Sequence, residues 1–257
     1  MGGGKINRLV LLAGELAALK VDAILSAGPT VTRALKDANV TIPIVMGFDD
    51  DPVGSGFINS LAQPGGNITG LSTLSPGLSG KQVEILKEIV PRLSRVAVFG
   101  SSIHPGTTQS WNEAERAAAG LGLQSKYFNM ESPADINPAF ESARQSRAEA
   151  AVVLTSVLTN TNRKSIAEAA AKNRLPAIYY TAEWVEVGGL LTYGASYPDL
   201  FRRAAAYVGK ILKGARPADL PVEQPTKFEF AVNLKAAKQI KLIIPPNVLA
   251  RADRVVR

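Results

Sequence analysis

From residue 21 onward the chain alternates short apolar or β-branched runs with amphipathic stretches, and each run ends in small or polar residues. Such runs read as buried strands: VDAILSA (21–27), IPIVMGF (42–48), RVAVFGS (95–101), AAVVLTS (150–156), PAIYY (176–180), GLLTY (189–193) and FEFAV (228–232). Most are too uniformly apolar for a sheet with one wet face, so helices are expected on both faces, as in a parallel sheet. Val83, Leu86 and Val90 predict a helix over 79–90, with Ser79 as N-cap, Gln82 completing a capping box and Pro91 as the stop. A second helix is predicted over 107–120, with Ala114, Ala117 and Leu121 inward and Gly120 and Gly122 at its end. The third, over 198–213, starts near Pro198, ends at Gly214 and turns Phe201, Ala205, Val208 and Leu212 inward. The class is therefore α/β with doubly wound parallel sheets.

Length and charge refine this picture. At 257 residues the chain exceeds one domain of about 100–150 residues, so two lobes or one large unit are expected. No low-complexity linker separates them, so two lobes would share several chain crossings. Residues 202–257 hold 12 Lys and Arg against 4 Asp and Glu, which places the excess of the net +7 at one end. These cations are spread singly along helices (Arg202, Arg203, Lys210, Lys213, Lys235, Lys238, Lys241) without interleaved aromatics. That pattern reads as a solvated face, and no nucleic-acid partner is expected.

Candidate chemistry is narrowed mainly by what is missing. With no cysteine there is no disulfide, thiolate metal site or cysteine nucleophile. His104 is the single histidine, and no GxSxG elbow follows a strand, which argues against a serine hydrolase. Neither a GxGxxG nor a GxxxxGK[ST] fingerprint is present, so no nucleotide cofactor is expected. Asp49, Asp50 and Asp51 lack the spacing of a calcium loop, and no metal is assigned. The reading is not an enzyme.

Small and polar residues do recur directly after the predicted strands: Ser26, Gly28, Pro29 and Thr30; Asp49 to Asp51; Ser101, Ser102 and His104; Thr155 and Ser156; Thr181, Glu183 and Trp184. In open parallel sheets ligands bind at that carboxyl edge. Each junction alone is explained by a helix cap or turn. Five together suggest a small-molecule site, with Trp184 as an aromatic wall.

Longer strings carry a resemblance. IPIVMGFDDDPVGSGFINSLAQPGGNITGLS (42–72) is followed by LSGKQVEILKEIVP and RVAVFG, and GGLLTYGASYPDLFRRAAAYVGKILKGARPADLPVEQPTKFEFAVNLKAAKQIKLIIPPNVLARADRVV spans 188–256. These blocks resemble the ABC-transporter substrate-binding family over residues 5–257. The resemblance implies a type I periplasmic-binding-protein fold, with lobe one over 1–76 and 190–216 and lobe two over 77–189 and 217–257. It further implies a periplasmic solute receptor that binds a small molecule, such as an aromatic or other amino acid, between two lobes and hands it to an ABC permease. First-lobe contacts would be Ala27, Gly28, Pro29, Thr30, Asp51, Thr69, Gly70 and Ser72. Those of the second lobe would be Ser101, Ser102, Thr155, Ser156, Thr181, Glu183 and Trp184, with Tyr193 near the hinge and Asp51 or Glu183 pairing with a ligand ammonium.

GGGKINRL corresponds to the stretch after the family's second strand, and no signal peptide is evident, so lobe one is expected to be incomplete. An incomplete sheet leaves an unpaired edge, and self-association through lobe one is the expected consequence. The alternative of the same fold is the ligand-sensing core of a transcription regulator, which would need a helix-turn-helix that the sequence does not display.

Overall fold

The computed structural model describes the backbone of residues 3–257 and side chains from Arg8 onward; Met1 and Gly2, assigned above to lobe one, lie outside the described residues. In chain order it runs through α1 (Gly3–Ala18), β1 (Ile24–Ala27), α2 (Pro29–Asp37), β2 (Ile44–Phe48), β3 (Ile68–Gly70) and α3 (Ser75–Ile89). There follow β4 (Arg95–Gly100), α4 (Thr107–Gly120), β5 (Gln124–Asn129), α5 (Ile136–Gln145), β6 (Ala150–Val153), α6 (Val157–Thr161), α7 (Arg163–Lys172) and β7 (Ala177–Tyr179). The chain ends with β8 (Leu191–Ala195), α8 (Tyr197–Leu212), β9 (Phe228–Asn233), α9 (Leu234–Gln239), α10 (Pro246–Leu249) and β10 (Arg254–Val256).

Two compact units result: residues up to Leu74 with Ser196–Lys227, and Ser75–Ala195 with Phe228–Arg257. The crossings thus fall near 74, 195 and 227, whereas the sequence placed them at 76, 190 and 216. Pairing explains both larger shifts. Residues 191–195 form β8, held between β7 and β9 in the second unit. Residues 217–227 are bound into the first unit, where Leu71 bridges Glu223 and Thr69 Oγ1 donates to the Leu220 carbonyl at 2.6 Å.

The first unit holds a parallel sheet of order β1-β2-β3. Ala13, Ile24, Leu35, Val40, Ile44, Met46 and Phe57 form its core. Phe48 packs against Tyr197 and Phe201 of α8. The second unit holds a sheet of order β10-β9-β8-β7-β6-β4-β5. Strands β4 to β8 are mutually parallel, and β9 runs antiparallel to β8. Alternation along β4 shows why its run is uniformly apolar: Val96 and Val98 face a core shared with α3 and α4, while Ala97 and Phe99 face one shared with α5 and α7. On the latter face Phe99 stacks on Phe140 with centroids 4.1 Å apart.

All seven runs read as strands are strands, and β3, β5 and β10 are additional. The helix expected at 79 begins at Ser75 instead. Ser79 is therefore interior, its hydroxyl donating to the Ser75 carbonyl, and Gln82 donates to the Tyr193 and Tyr179 carbonyls rather than closing a capping box. α4 has the expected bounds, but Leu121 is exposed. α8 buries Leu200, Ala204, Tyr207 and Ile211 instead of Phe201, Ala205, Val208 and Leu212. Both stripes keep helical spacing, and the buried one ties α8 to the returning chain through the Tyr207 hydroxyl, which donates to the Pro221 carbonyl.

Gly194 lets β8 approach β7: a Cβ there would lie 1.7 Å from the Tyr180 carbonyl oxygen. Gly194→Ala is expected to cost at least about 1–3 kcal/mol through forced displacement of backbone. Urea unfolding followed by circular dichroism measures it; an unchanged midpoint would contradict this packing.

Candidate functional site

Within each unit, parallel pairing carries successive strand ends to one sheet edge. In the first unit β1, β2 and β3 share their direction, so Gly28, Asp49 and Leu71 emerge side by side. Ala27 is exposed, Gly28 and Pro29 are buried, and Thr30 is half-buried at the start of α2. Gly28 adopts φ 98°, in the left-handed region, with its α-carbon turned toward the Phe48 ring. Behind it the Ser26 and Thr32 hydroxyls pair at 2.9 Å.

The β2 end is an acidic corner. Asp49 is fully buried; its Oδ1 accepts from the Asp51 amide at 3.2 Å, and its Oδ2 is buried without a partner. Thr73 closes the corner by donating its amide and hydroxyl to the Asp49 carbonyl and reaching Asp50 Oδ1 at 3.2 Å. Burial pushes the Asp49 carboxyl well above the usual carboxylate range, and the Asp50 and Asp51 charges act in the same direction. Asp51 is half-buried and accepts the Gly54 amide at 2.9 Å, so it also caps a turn.

Thr69 and Gly70, implied as contacts by the resemblance, lie inside β3. The Thr69 hydroxyl is engaged by Leu220, and Gly70 packs against the Met46 backbone. Ser72 is buried at the true end, its amide donating to the Glu223 carbonyl. Thr69 and Gly70 thus help to hold the first unit together.

In the second unit the ends of β4, β6 and β7 share an edge. Ser101 is buried, its carbonyl accepting from the His104 amide and the Thr107 hydroxyl. Ser102 is exposed and donates its hydroxyl to Glu131 at 2.8 Å and its amide to Asn129. Hydrogen bonds from Ser102 and Asn129 lower the Glu131 carboxyl below its ordinary value. Sequence reading missed this exposed cluster because β5 is a polar edge strand, QSKYFN, without an apolar run. Thr155 is half-buried, while Ser156 is buried as the N-cap of α6, accepting the Thr159 amide.

At the β7 end, Thr181 is buried with an unpartnered hydroxyl, and Glu183 is half-buried. Trp184 does not form a wall. Its relative exposure is 0%, it stacks on Tyr179 with centroids 4.1 Å apart, and it belongs to the core containing Phe99 and Phe140. The turn Ala182–Val187 folds back over β7, and the apolar ring is more stable in that core than at an edge. Tyr193 is half-buried within β8, between the rings of Phe228 and Phe230.

A family model described as ABC transporter substrate binding protein matches residues 3–256. The chain is 25% identical, over 90% of its length and 67% of the relative's, to a tyrosine-binding protein of Clostridioides difficile (strain R20291). Among solved structures it resembles the ABC domain from Streptococcus pneumonia in complex with L-Trp, with TM-score 0.90, 25% identity, and coverage of 98% of this chain and 87% of that one. It also resembles a conserved domain protein from Vibrio cholerae O1 biovar eltor, with TM-score 0.92, 28% identity, and coverage of 97% and 83%.

The Asp49 corner makes a pH-dependent prediction. The folded chain holds the Asp49 proton more tightly than the unfolded chain does, so between the ordinary carboxyl value of 3.8 and the raised folded value the folded state binds more protons. Stability contributed by this group is therefore present at low pH and falls as pH rises through that window. Asp49→Asn should become progressively more stable relative to the unaltered protein as pH is raised from about 4. Urea unfolding at stepped pH reads this directly; a difference independent of pH would refute it.

Proposed function

The chain belongs to the ABC transporter substrate-binding protein family, and from that premise we propose that it is an extracytoplasmic receptor for an aromatic amino acid, delivered to a membrane permease. The family is one of solute-binding receptors with the type I periplasmic binding fold, not an enzyme class. The observation that carries the ligand class is the similarity, over 98% of this chain, to a structure holding L-Trp. The relative named for tyrosine points to the same class.

An α-amino acid presents an ammonium, a carboxylate and an aromatic body. Asp51 in the first unit or Glu183 in the second, each half-buried near a strand end, is suited to the ammonium. Gly28, Pro29 and Thr30 at the start of α2, together with Ser101, Thr155 and Thr181, offer the small polar surroundings from which amide and hydroxyl donors reach a carboxylate. With Trp184 enclosed in the core, the aromatic body is left to other apolar groups beside these strand ends. No catalytic step is assigned to any of these residues.

Isothermal titration with L-tryptophan, L-tyrosine and L-phenylalanine, and with L-lysine as control, tests the reading. Binding of at least one aromatic amino acid and not of L-lysine is expected. Silence for all three aromatics at millimolar concentration would overturn the ligand class. Loss of one charge-assisted hydrogen bond costs about 1.5–3 kcal/mol, so the double variant Asp51→Ala, Glu183→Ala should bind at least about tenfold more weakly. Unchanged affinity would remove both carboxylates from the site.

A further inference from the structure

We infer that Ile103 and Val157 of the second unit are the apolar seat for the aromatic ring of the solute, a role that rests on the receptor reading above. The ends of the central strands are not polar throughout. Ile103 stands three residues past the end of β4 and is 47% exposed, and Val157 stands four residues past the end of β6 and is 54% exposed. β4 and β6 are parallel neighbours, paired up to Phe99 and Val153, and the Leu154 amide donates to the Phe99 carbonyl at 2.8 Å as the chain leaves the sheet. The two side chains therefore follow adjacent strands at one carboxyl edge, which is where open parallel sheets take their ligands.

Both residues sit on backbone that is held by hydrogen bonds in which their own side chains take no part. In the turn that carries Ile103, the Ser101 carbonyl accepts the His104 amide at 3.0 Å and the Thr107 hydroxyl at 2.8 Å. Val157 opens α6, where the Ser156 hydroxyl accepts the Thr159 amide at 3.0 Å and the Thr159 hydroxyl donates to the Leu154 carbonyl at 3.0 Å. A β-branched side chain on such a support has few rotamers to lose, so little ordering entropy opposes a ring that covers it. Other exposed apolar side chains of this unit stand elsewhere. Leu121 closes α4 ahead of β5, at the opposite edge of the sheet, and Phe228 at the start of β9 lies parallel to the Tyr193 ring with centroids 6.2 Å apart. Ligand sites are lined mainly by apolar groups with a few polar ones, and Ile103 and Val157 supply the former beside Ser101 and Thr155.

Isothermal titration of the full chain with L-tryptophan and L-phenylalanine reads the seat. Ile103→Ala and Val157→Ala should each weaken binding about three- to tenfold, because each removes two or three carbon atoms from the surface the ring covers. Ile103→Leu and Val157→Ile, which keep the apolar surface, should stay within about twofold of the unaltered chain. Leu121→Ala removes a comparable exposed group from the far edge and should leave affinity unchanged. Circular dichroism checks that each variant keeps its helix content; an alanine variant that unfolds is replaced by Val157→Thr, which keeps the shape, adds a hydroxyl and should weaken binding in the same way. An unaltered chain that binds while the Ile103 and Val157 variants bind equally well would overturn the seat and leave the receptor reading standing. Equal weakening by Leu121→Ala would do the same, since the effect would then belong to packing at large. An unaltered chain silent toward both amino acids would overturn the seat together with the reading beneath it.

Discussion

Parallel pairing is the constraint from which the rest of this structure follows. A parallel strand cannot be joined to its neighbour by a tight turn, so each must be followed by a crossover, and the crossovers here are α-helices lying on the sheet. Covering both faces demands side chains that are apolar in both directions, which is what Val96, Ala97, Val98 and Phe99 supply in β4 and Ala150 to Val153 in β6. The same geometry gathers the carboxyl ends of the strands along one edge of each sheet, where the chain must leave extended structure and enter a helix. Polar residues concentrate there because backbone groups released from the ladder need partners. Ser156 capping α6 and Thr107 bonding the Ser101 carbonyl are two of the results.

This is why the central strands were legible in the sequence while others were not. β2, β4, β6 and β7 are buried on both faces and announce themselves as continuous apolar runs. β5 lies at an edge and reads QSKYFN, while β3 and β10 have three residues each, too few to establish a period. β3 contains Thr69 and Gly70, two of the contacts that the resemblance implies, so their backbone lies in the sheet opposite Val45 and Met46. Trp184 was misread for a different reason: an aromatic residue after a strand suits a ligand wall and a core equally well, and only the fold of the turn Ala182–Val187 decides between them.

The basic excess also changes meaning once the fold is known. Several cations of residues 202–257 are neutralised by partners distant in sequence: Arg203 pairs with Glu223, Arg251 with Glu88 and Arg254 with Glu186. Arg202 and Lys227 converge on Asp199 at the start of α8. The Arg203 pair, with the Tyr207 hydroxyl on the Pro221 carbonyl, anchors the returning segment beside β3. Arg203, read as part of a solvated face, is therefore a fastener for the returning segment, and its pairing has no local signature because Glu223 lies 20 residues further along the chain.

Buried polar groups are nearly always paired, so the exceptions carry information. Four such side-chain atoms in the strands and strand-end segments are Asp49 Oδ2, Thr181 Oγ1, Trp184 Nε1 and Thr192 Oγ1. Trp184 is stacked within a core and Thr192 sits inside β8, so their cost is borne by the packing around them. Asp49 and Thr181 differ in place: Asp49 directly follows β2 and Thr181 lies two residues beyond β7, each where the chain leaves its sheet. For Asp49 burial itself favours the protonated form, so an acid oxygen without a partner persists there at a lower cost than a buried charge would carry.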